Sequence, residues 1–582
     1  MRRTKIVCTI GPASEDEQTL QQLLDAGMNV ARLNMSHGDY QEHSARIERL
    51  RRLREEKNLP VGIMLDTKGP EIRLGKFQGG KVELNAGQSF ILTTRELLGD
   101  ATRASISYAG LPGDVAPGQH ILLDDGLIDL KVARIEGEQI VCQVENGGSI
   151  GDRKGVNVPG AQIGLPAITQ KDIDDILFGV DQGVDFIAAS FVRKASDVLE
   201  IRQILEAHRG EHIHIIAKIE SQEGVDNLED ILTVSDGIMV ARGDLGVEIP
   251  IAEVPLVQKR IIAMCNQASK PVITATQMLD SMIRNPRPTR AEANDVANAI
   301  LDGTDAIMLS GETASGRYPL QALRIMATIA ERTEQAQLPT RRTEQDRPMT
   351  SVTEAVSHAC VAMAEELKAS AIITATHMGS TARQISRYRP PCQIVATTDQ
   401  PHTYYRMSLV WGVRSLMAPS TGNTDEMINT SVGLVERAGF LKSGDVALIT
   451  AGVPVGTSGT TNLIKVHVAG DVLIRAKGVG SGSAYGKVCV VRQLSDAQEK
   501  FEEGDVLVAK QTDNSLMPFI RKASAIITEN GDSLSHAAVV GLALDIPVIL
   551  SAKNACSMLR DGLYVTVHPG SGFVYNGKSK AV

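Results

Sequence analysis

The sequence predicts an α/β protein whose largest part is a parallel (β/α)8 barrel, carrying an inserted all-β domain and followed by two smaller domains. Three observations predict it. Short β-branched, apolar runs alternate with amphipathic stretches up to about residue 341, there are eight such runs, and the alternation breaks once, after the third. Eight parallel strands close a barrel. At 582 residues the chain is also too long for one core.

The barrel is predicted over residues 1–70 and 166–341, with helices between its strands. Ser14 and Glu17 have the spacing of a capping box and predict the start of the first helix. Residues 255–268 have the apolar spacing of another helix. The predicted strands are 4–10, 29–34, 61–66, 185–191, 213–220, 237–244, 271–277 and 306–312.

Residues 71–165 interrupt the barrel and are rich in Gly, Pro and short alternating runs, which predicts an all-β domain. Residues 342–470 predict an α/β open-sheet domain, and residues 471–582 a last β/α domain. In this last domain the Gly-rich run 478–486 is predicted to be a hairpin and not a dinucleotide-binding turn, because a strand follows it. The remaining predicted elements are strands 371–377, 393–398, 446–451 and 464–468 and a helix at 535–544.

Charge and cysteine usage exclude several classes of function. The net charge of −9 provides no general attraction for nucleic acid or an anionic membrane, so neither partner is expected. The densest basic run, residues 46–57, has Ile47, Leu50 and Leu53 at helical spacing and is interpreted as a solvated helix face. Seven scattered cysteines without a CxxC pair, and no long apolar run, predict a soluble cytoplasmic protein with reduced thiols.

Polar residues follow nearly every predicted barrel strand, at the end where barrels of this kind hold their reacting groups. Because side chains at i and i+2 of a strand share a face, Lys218 is expected beside Glu220 and Arg242 beside Asp244. The same alternation groups Arg32, Asn34 and Ser36.

Glu220 and Asp244 follow neighbouring strands and provide two hard oxygen ligands, suited to Mg²⁺ or Mn²⁺. The alternative is that Lys218 and Glu220 form only a structural ion pair inside the barrel. Polar side chains recur on successive strands, where a barrel core normally holds Val, Ile and Leu, and this favours a functional site.

Nine motifs in this order resemble those of the pyruvate kinase family, over about residues 1 to 470. They are TKIVCTIGPAS, NVARLNMSHG, LDTKGPEIR, KGVNVPG, IHIIAKIESQEGV, MVARGDLGVEIP, TATQMLDSM, RAEANDVANAI and LSGETASGRYP. The resemblance implies the glycolytic transfer of a phosphoryl group from phosphoenolpyruvate to ADP, giving pyruvate and ATP. It also implies a homotetramer, and a phosphorylated allosteric effector bound by the domain 342–470.

The resemblance further implies roles for individual residues. The Mg²⁺ ligands would be Glu220 and Asp244, and the K⁺ ligands Asn34, Ser36, Asp66 and Thr67. Phosphoenolpyruvate would contact Arg32, Lys218, Gly243, Asp244 and Thr276, while Asn34, His37, Arg73 and Lys154 would lie on the nucleotide side.

Phosphoryl transfer depends mainly on positioning and on cations that stabilise the charge of the transferred group. Lys218 is therefore expected to stabilise the transition state, and Thr276 to orient a proton donor to the enolate that remains. The insertion 71–165 is expected to close over the site as a lid and exclude water. Glu71 is the residue type that accompanies K⁺ dependence in this family.

Two further segments predict binding sites. Thr376, Gly379, Ser380 and Thr381 lie between a predicted strand and a helix, where backbone amides and hydroxyls can hold the phosphate of an effector; the alternative is an ordinary helix cap. Residues 471–582 resemble the swivelling phosphohistidine domain of enzymes that use phosphoenolpyruvate, with His536 in the place of the phosphorylated histidine. Asp532 and Leu534 depart from that pattern and favour a structural or regulatory role.

Two rival interpretations stay open from the residues alone. An enolate-type barrel lyase or aldolase would also use a carboxylate pair and a metal, but it would not need Arg32, Arg73 or the ligands for a monovalent cation. A non-catalytic, metabolite-sensing barrel would be favoured if one of the reacting residues were replaced, and none is: Lys218, Glu220, Asp244 and Thr276 are all present.

Overall fold

The computed structural model describes residues 2–161, 163–336, 351–453, 461–470 and 472–578. The chain divides into two compact units. One holds the described residues up to 336 together with 400–415, and the other holds those of 351–399 and from 416 onward.

The first unit contains a closed eight-stranded parallel barrel, which confirms the predicted fold class. Each of the eight predicted runs contributes one strand, and every strand is buried except for the partly exposed first or last residue of two of them. The strands are Lys5–Thr9, Val30–Asn34, Gly62–Asp66, Phe186–Ala189, His214–Ile219, Gly237–Ala241, Val272–Ala275 and Ala306–Leu309.

Helices cover the outside of the barrel, and the predicted helix 255–268 is confirmed. The predicted capping box at Ser14 is wrong. Asp16 is the cap instead, because its carboxylate accepts from the Thr19 amide, while Ser14 is buried in a turn with Gly11. The helices are Glu17–Asp25, Tyr40–Glu56, Gln170–Asp181, Ala195–Ala207, Gln222–Asp226, Leu228–Val234, Arg242–Glu248, Val254–Gln267, Arg290–Asp302, Gly311–Ala314 and Pro319–Gln335, with a 3-10 turn at Asp280–Ile283.

The basic helix Tyr40–Glu56 is not solvated along its whole polar face, as the sequence had suggested. Arg46 and Arg54 are buried. Arg54 Nη1 donates to Asp185 Oδ2 and to the Val61 carbonyl, both at 2.9 Å, so this cation has a buried partner on the neighbouring part of the barrel.

The interior of the barrel is filled by apolar side chains, among them Met64, Phe186 and Ile216. Leu409 belongs to the same buried cluster although it lies far away in the sequence. It is carried by the 400–415 segment, which contains the helix Pro401–Arg406 and the 3-10 turn Met407–Leu409. The segment lies at the amino ends of the strands: a Cβ on Gly62, the first residue of its strand, would come within 2.7 Å of Ser408 Oγ.

The insertion forms a separate all-β core, as predicted. A seven-stranded sheet and a two-stranded sheet make it up, and Asn157 Nδ2 donates to Glu248 Oε1 of the barrel at 2.8 Å. The strands are Ile72–Arg73, Lys81–Leu84, Ser89–Thr93, Arg103–Ser105, His120–Leu123, Ile128–Glu136, Gln139–Val144, Gly148–Gly151 and Gly155–Asn157, with a helix at Leu111–Asp114 and a 3-10 turn at Gln78–Gly80.

The second α/β region contains a five-stranded sheet. Four of its strands lie at the predicted positions. The fifth strand, Val413–Met417, lies at the edge of the sheet and was missed. The other strands are Ala371–Ala375, Gln393–Thr398, Val446–Gly452 and Thr461–Val468, and the helices are Val352–Glu366, Ser380–Arg387 and Thr424–Arg437.

The last domain is built on an eight-stranded mixed sheet. The Gly-rich run 478–486 is not a hairpin: Lys477–Val479 pairs with Val548–Leu550, whereas Ala484–Val491 pairs with two other strands. The remaining strands are Val472–Arg475, Val506–Ala509, Ala525–Thr528, Tyr564–His568 and Phe573–Asn576, and the helices are Leu494–Lys500, Met517–Ile520, His536–Leu544 and Ala555–Met558, with a 3-10 turn at Asn514–Leu516. In the described parts of the chain, no helix is long and apolar enough to cross a membrane.

Candidate active site

A polar layer lies at the carboxyl ends of the barrel strands, directly above the apolar interior. The alternation of strand residues produces it: Asp66 follows Met64 by two positions, and Lys218 follows Ile216. Asp66 and Lys218 are both buried, so their charges can be neutralised only by partners within the protein or by ligands.

Lys218 donates to three acceptors. Its Nζ lies 2.6 Å from Ser190 Oγ, 2.9 Å from Glu220 Oε1 and 3.1 Å from Asp66 Oδ1. Burial lowers the pKa of Lys218, but the charges of Asp66 and Glu220 outweigh that effect and raise it above its ordinary value. Lys218 is therefore a fixed cation.

Asp66 also pairs with Arg32, whose Nε donates to Asp66 Oδ2 at 2.5 Å and whose Nη1 donates to Thr9 Oγ1 at 2.9 Å. Burial would raise the pKa of Asp66, yet the cations of Arg32 and Lys218 hold it below its ordinary value. One carboxylate thus orients both cations that the sequence assigned to the substrate.

Glu220 and Asp244 are close enough for each to affect the pKa of the other. Burial raises the pKa of Glu220 to about 7, with Lys218 opposing the rise and the Asp244 charge adding to it. Burial also raises the pKa of Asp244. A buried carboxyl group, Glu220, and a half-buried one, Asp244, both with raised pKa values, are a donor set that a divalent cation would stabilise. Across the described ranges, no group of three or more His, Cys, Asp and Glu side chains is arranged to hold a metal.

Gly243 and Thr276, both expected to contact the substrate, lie together, but the prediction that Arg242 lies beside Asp244 on one strand face is wrong. The Gly243 amide donates to Thr276 Oγ1 at 2.7 Å, and Thr276 adopts φ +67°. The strand ends at Ala241 and Arg242 begins a helix, so Arg242 does not share a face with Asp244. Its guanidinium instead donates to Asp295 Oδ1 at 2.8 Å and to the Thr276 carbonyl at 2.8 Å.

The predicted ligands for the monovalent cation are close together. Asn34 lies opposite Asp66 in the paired strands, and Asn34 Oδ1 accepts from the Ser36 amide at 3.1 Å. Thr67 directly follows Asp66, and His37 lies exposed in the loop beyond Ser36.

Arg73 and Lys154 lie side by side in the insertion. Arg73 ends the strand Ile72–Arg73, and Lys154 directly precedes the strand Gly155–Asn157 that pairs with it. Arg73 Nε donates to Glu71 Oε2 at 2.7 Å, and Lys154 Nζ lies 2.9 Å from Asp124 Oδ1. Glu71 and Asp125 are near enough to Asp244 to raise its pKa, which places this side of the insertion beside the barrel carboxylates.

Sequence reasoning missed three residues of the site. Ser190 contacts Lys218, the Phe191 amide donates to Glu220 Oε2 at 2.5 Å, and the buried Glu312 accepts from the Leu279 and Ser310 amides. The alternation Phe186, Ala188, Ser190 was a signal for the first, because it directs Ser190 into the barrel.

The predicted effector residues follow the strand Ala371–Ala375, and the last two of them, Ser380 and Thr381, begin the helix Ser380–Arg387. Gly379 adopts φ +81° as the cap of this helix, and its amide donates to Thr376 Oγ1 at 3.0 Å. The Thr381 hydroxyl is buried and bonded to Thr461 Oγ1 at 2.8 Å, so it faces the sheet and not solvent.

Three family models match the chain, in the order of the observed domains. They are "Pyruvate kinase, barrel domain" over residues 1–323, "Pyruvate kinase, alpha/beta domain" over 354–467 and "PEP-utilising enzyme, mobile domain" over 501–572. The last match agrees with the resemblance found in the tail.

Known proteins are similar over the same length. The chain is 53% identical to a pyruvate kinase of Geobacillus stearothermophilus and 53% identical to one of Bacillus licheniformis, each match covering 100% of both chains. The crystal structure of a pyruvate kinase from Cryptosporidium parvum is 42% identical, covers 80% of this chain and 96% of its own, and superposes with a TM-score of 0.76. With its barrel, its cation and carboxylate cluster and these matches, the chain belongs to the pyruvate kinase family.

Proposed function

We propose that this chain transfers the phosphoryl group of phosphoenolpyruvate to ADP, giving pyruvate and ATP, at the mouth of its barrel. One observation carries the proposal: a buried ammonium, that of Lys218, is held between Ser190 and two carboxylates at the carboxyl ends of the strands. A fixed cation in a dry site is what the transfer of a charged group requires.

The cations Arg32 and Lys218 bind the phosphate of phosphoenolpyruvate, and Lys218 stabilises the charge that spreads over the transferred group. The Gly243 amide donates to Thr276 Oγ1, and Thr276 orients a proton donor toward the enolate carbon. On the insertion, Arg73 and Lys154 hold the phosphates of ADP, with Asn34 and His37 on the same side.

Members of this family depend on metal ions. Glu220 and Asp244 fit Mg²⁺ or Mn²⁺ because both are oxygen donors with raised pKa values, and Asn34, Ser36, Asp66 and Thr67 fit K⁺ as neighbouring oxygen donors. When bound, the divalent ion would neutralise charge on the phosphate oxygens. The insertion acts as a lid that excludes water when it closes, and the hydrogen bond from Asn157 to Glu248 joins it to the barrel.

A homotetramer in the cytoplasm, regulated by a phosphorylated metabolite, completes the proposal. Ile251 and Leu256 support association with further copies, because they are 82% and 61% exposed, Ile251 in the turn before the helix Val254–Gln267 and Leu256 in its first turn. Sedimentation of the purified protein tests the oligomeric state.

The experiment that tests the function is a coupled assay for pyruvate formation from phosphoenolpyruvate. We expect pyruvate to form only with ADP present and with one ATP made for each pyruvate. A barrel lyase or aldolase would release pyruvate without ADP, and a metabolite-sensing barrel would release none. Either result would contradict the proposal.

A further inference from the structure

The strand Phe186–Ala189 ends in a two-residue turn, Ser190 and Phe191, that no predicted role includes. Ser190 contacts the reacting cation through its side chain, and Phe191 contacts a carboxylate through its backbone amide, which lies 2.5 Å from Glu220 Oε2. Phe191 adopts φ +55°, an uncommon conformation for a bulky side chain. The turn therefore holds two members of the site from the neighbouring strand at once.

The direction of each hydrogen bond of Ser190 follows from whether its partner can donate or accept. The Lys218 ammonium only donates, so Ser190 Oγ accepts from it at 2.6 Å. The single hydroxyl hydrogen is then left for the Thr67 carbonyl at 2.7 Å, which is nearer than Asp66 Oδ1 at 3.2 Å. The Ser190 amide also donates to Thr67 Oγ1 at 3.2 Å. Ser190 is thus anchored to the adjoining strand while it holds Lys218.

Ser190 differs in charge from the other two acceptors of Lys218. Asp66 and Glu220 are carboxylates and are the residues expected to bind the cations of the site, whereas Ser190 is neutral and belongs to neither predicted ligand set. A neutral acceptor fixes the direction of the ammonium without cancelling its charge. The 6% exposure of Ser190 means that water cannot easily take over this role.

We propose that Ser190 is a positioning residue for phosphoryl transfer, and that its hydroxyl holds the Lys218 ammonium where the charge of the transferring group develops. The inference rests on the proposed function. Without the hydroxyl, Lys218 would keep only its two carboxylate partners and would be drawn toward them and away from the substrate. Substrate binding, which also uses Arg32, would change less than the rate of transfer.

The test is Ser190→Ala, with kcat and KM measured in the coupled assay and phosphoenolpyruvate affinity measured by calorimetry. We expect kcat to fall about 10- to 100-fold, the effect of losing one hydrogen bond to a charged group. KM and the calorimetric affinity should stay within about threefold. The matched control is Ser196→Ala in the next helix, whose hydroxyl donates to Asp197 Oδ1 at 3.3 Å, and it should leave both constants unchanged.

Ser190→Cys is the second variant if Ser190→Ala does not fold, because a thiol is similar in size but a weaker acceptor. It should show the same split with a smaller loss of kcat. A folded Ser190→Ala or Ser190→Cys protein that keeps wild-type kcat, or that raises KM alone, would overturn the inference. An inactive wild-type protein would instead contradict the proposed function, so the two failures are distinct.

Discussion

At the scale of single residues, the site is built on a small set of buried ion pairs centred on Lys218 and Asp66. Asp66 accepts from Arg32 and Lys218, and each cation reaches a further acceptor, Thr9 for Arg32 and Ser190 for Lys218. Removing a charged member would leave its buried partners with fewer opposite charges, and that loss costs more than the loss of an exposed ion pair. Because changes here also cost stability, the role of each residue is best tested by a substitution that keeps most of the size of the side chain.

Lys218→Met keeps most of the side chain's length but removes its charge. We expect kcat to fall about 100- to 1000-fold while the affinity for phosphoenolpyruvate changes little, because the charge is needed most in the transition state. Steady-state kinetics and calorimetry measure the two quantities. Turnover near the wild-type value would mean that Lys218 is not the cation that stabilises the transition state.

Potassium dependence is predicted from Glu71. Its carboxylate pairs with Arg73 and adds negative charge near Asp244, so it cannot supply the charge of a bound cation. We expect activity to collapse when K⁺ and Na⁺ are replaced by a bulky organic cation, and to return when K⁺ is added. Full activity without any monovalent activator would rule this dependence out.

At the scale of elements, the residues predicted to bind phosphate lie at the ends of strands and the starts of helices. The effector segment Thr376–Thr381 runs into the first turn of the helix Ser380–Arg387, whose first amides can bind an anion. The tail presents a comparable arrangement, where the helix His536–Leu544 begins at the histidine itself. These two helix starts lead to two predictions, one about the phosphate groups of the effector and one about phosphorylation of His536.

The effector is predicted to be a monophosphate. No Lys or Arg occurs in 423–434 or 450–464, of which 454–460 lie outside the described residues, so a second phosphate would lack a cation there. We expect calorimetry to detect a sugar monophosphate or AMP more readily than fructose 1,6-bisphosphate. The reverse order of affinity would refute the prediction, and binding of neither would favour an ordinary helix cap.

The tail is predicted to be dispensable for the chemistry. Both ring nitrogens of His536 have partners, Thr512 Oγ1 at 2.9 Å and Asn514 Oδ1 at 3.3 Å, and Asp532 places a negative charge in the preceding turn. We expect His536→Ala, or deletion from about residue 473, to leave turnover present while altering stability or the effector response. An acid-labile phosphate on His536, seen by mass spectrometry and linked to turnover, would contradict this.

At the scale of the whole molecule, sequence neighbours do not always belong to one compact unit. The 400–415 segment follows one strand of the open sheet and includes the first residues of the next, Val413–Met417, yet it belongs to the barrel unit. Lys5 Nζ donates to the Val413 carbonyl, Arg406 Nη1 donates to the His212 carbonyl, and the Trp411 amide donates to Asp305 Oδ1. Leu409 completes the apolar interior of the barrel.

Leu409→Ala should destabilise the protein by about 2–5 kcal/mol, because it leaves a cavity in a core that cannot collapse around it. The matched control is Leu301→Ala, whose side chain is 48% exposed on a barrel helix and should cost much less. Denaturant unfolding of both variants measures the difference. Equal effects would mean that Leu409 is not an integral part of the barrel core.

The sequence by itself determined the barrel and predicted much of the candidate site. All eight strands were found because a fully buried parallel strand is a short apolar run, and Lys218, Glu220 and Arg32 were singled out because polar residues end such runs, whereas Asp66 was singled out by the family resemblance. These are local patterns, and local patterns can be read from neighbouring residues. The roles and ligands, however, came from the family resemblance.

Only the tertiary structure decided which groups touch. Ser190 contacts Lys218 because their strands are paired. Arg242 does not lie beside Asp244 because a helix begins at Arg242. Leu409 packs into the barrel interior although it lies far away in the sequence. The short edge strand Val413–Met417 lacks the apolar character of the buried strands and was missed for that reason. Contacts between residues far apart in sequence depend on how strands and helices pack, and no local pattern records that packing.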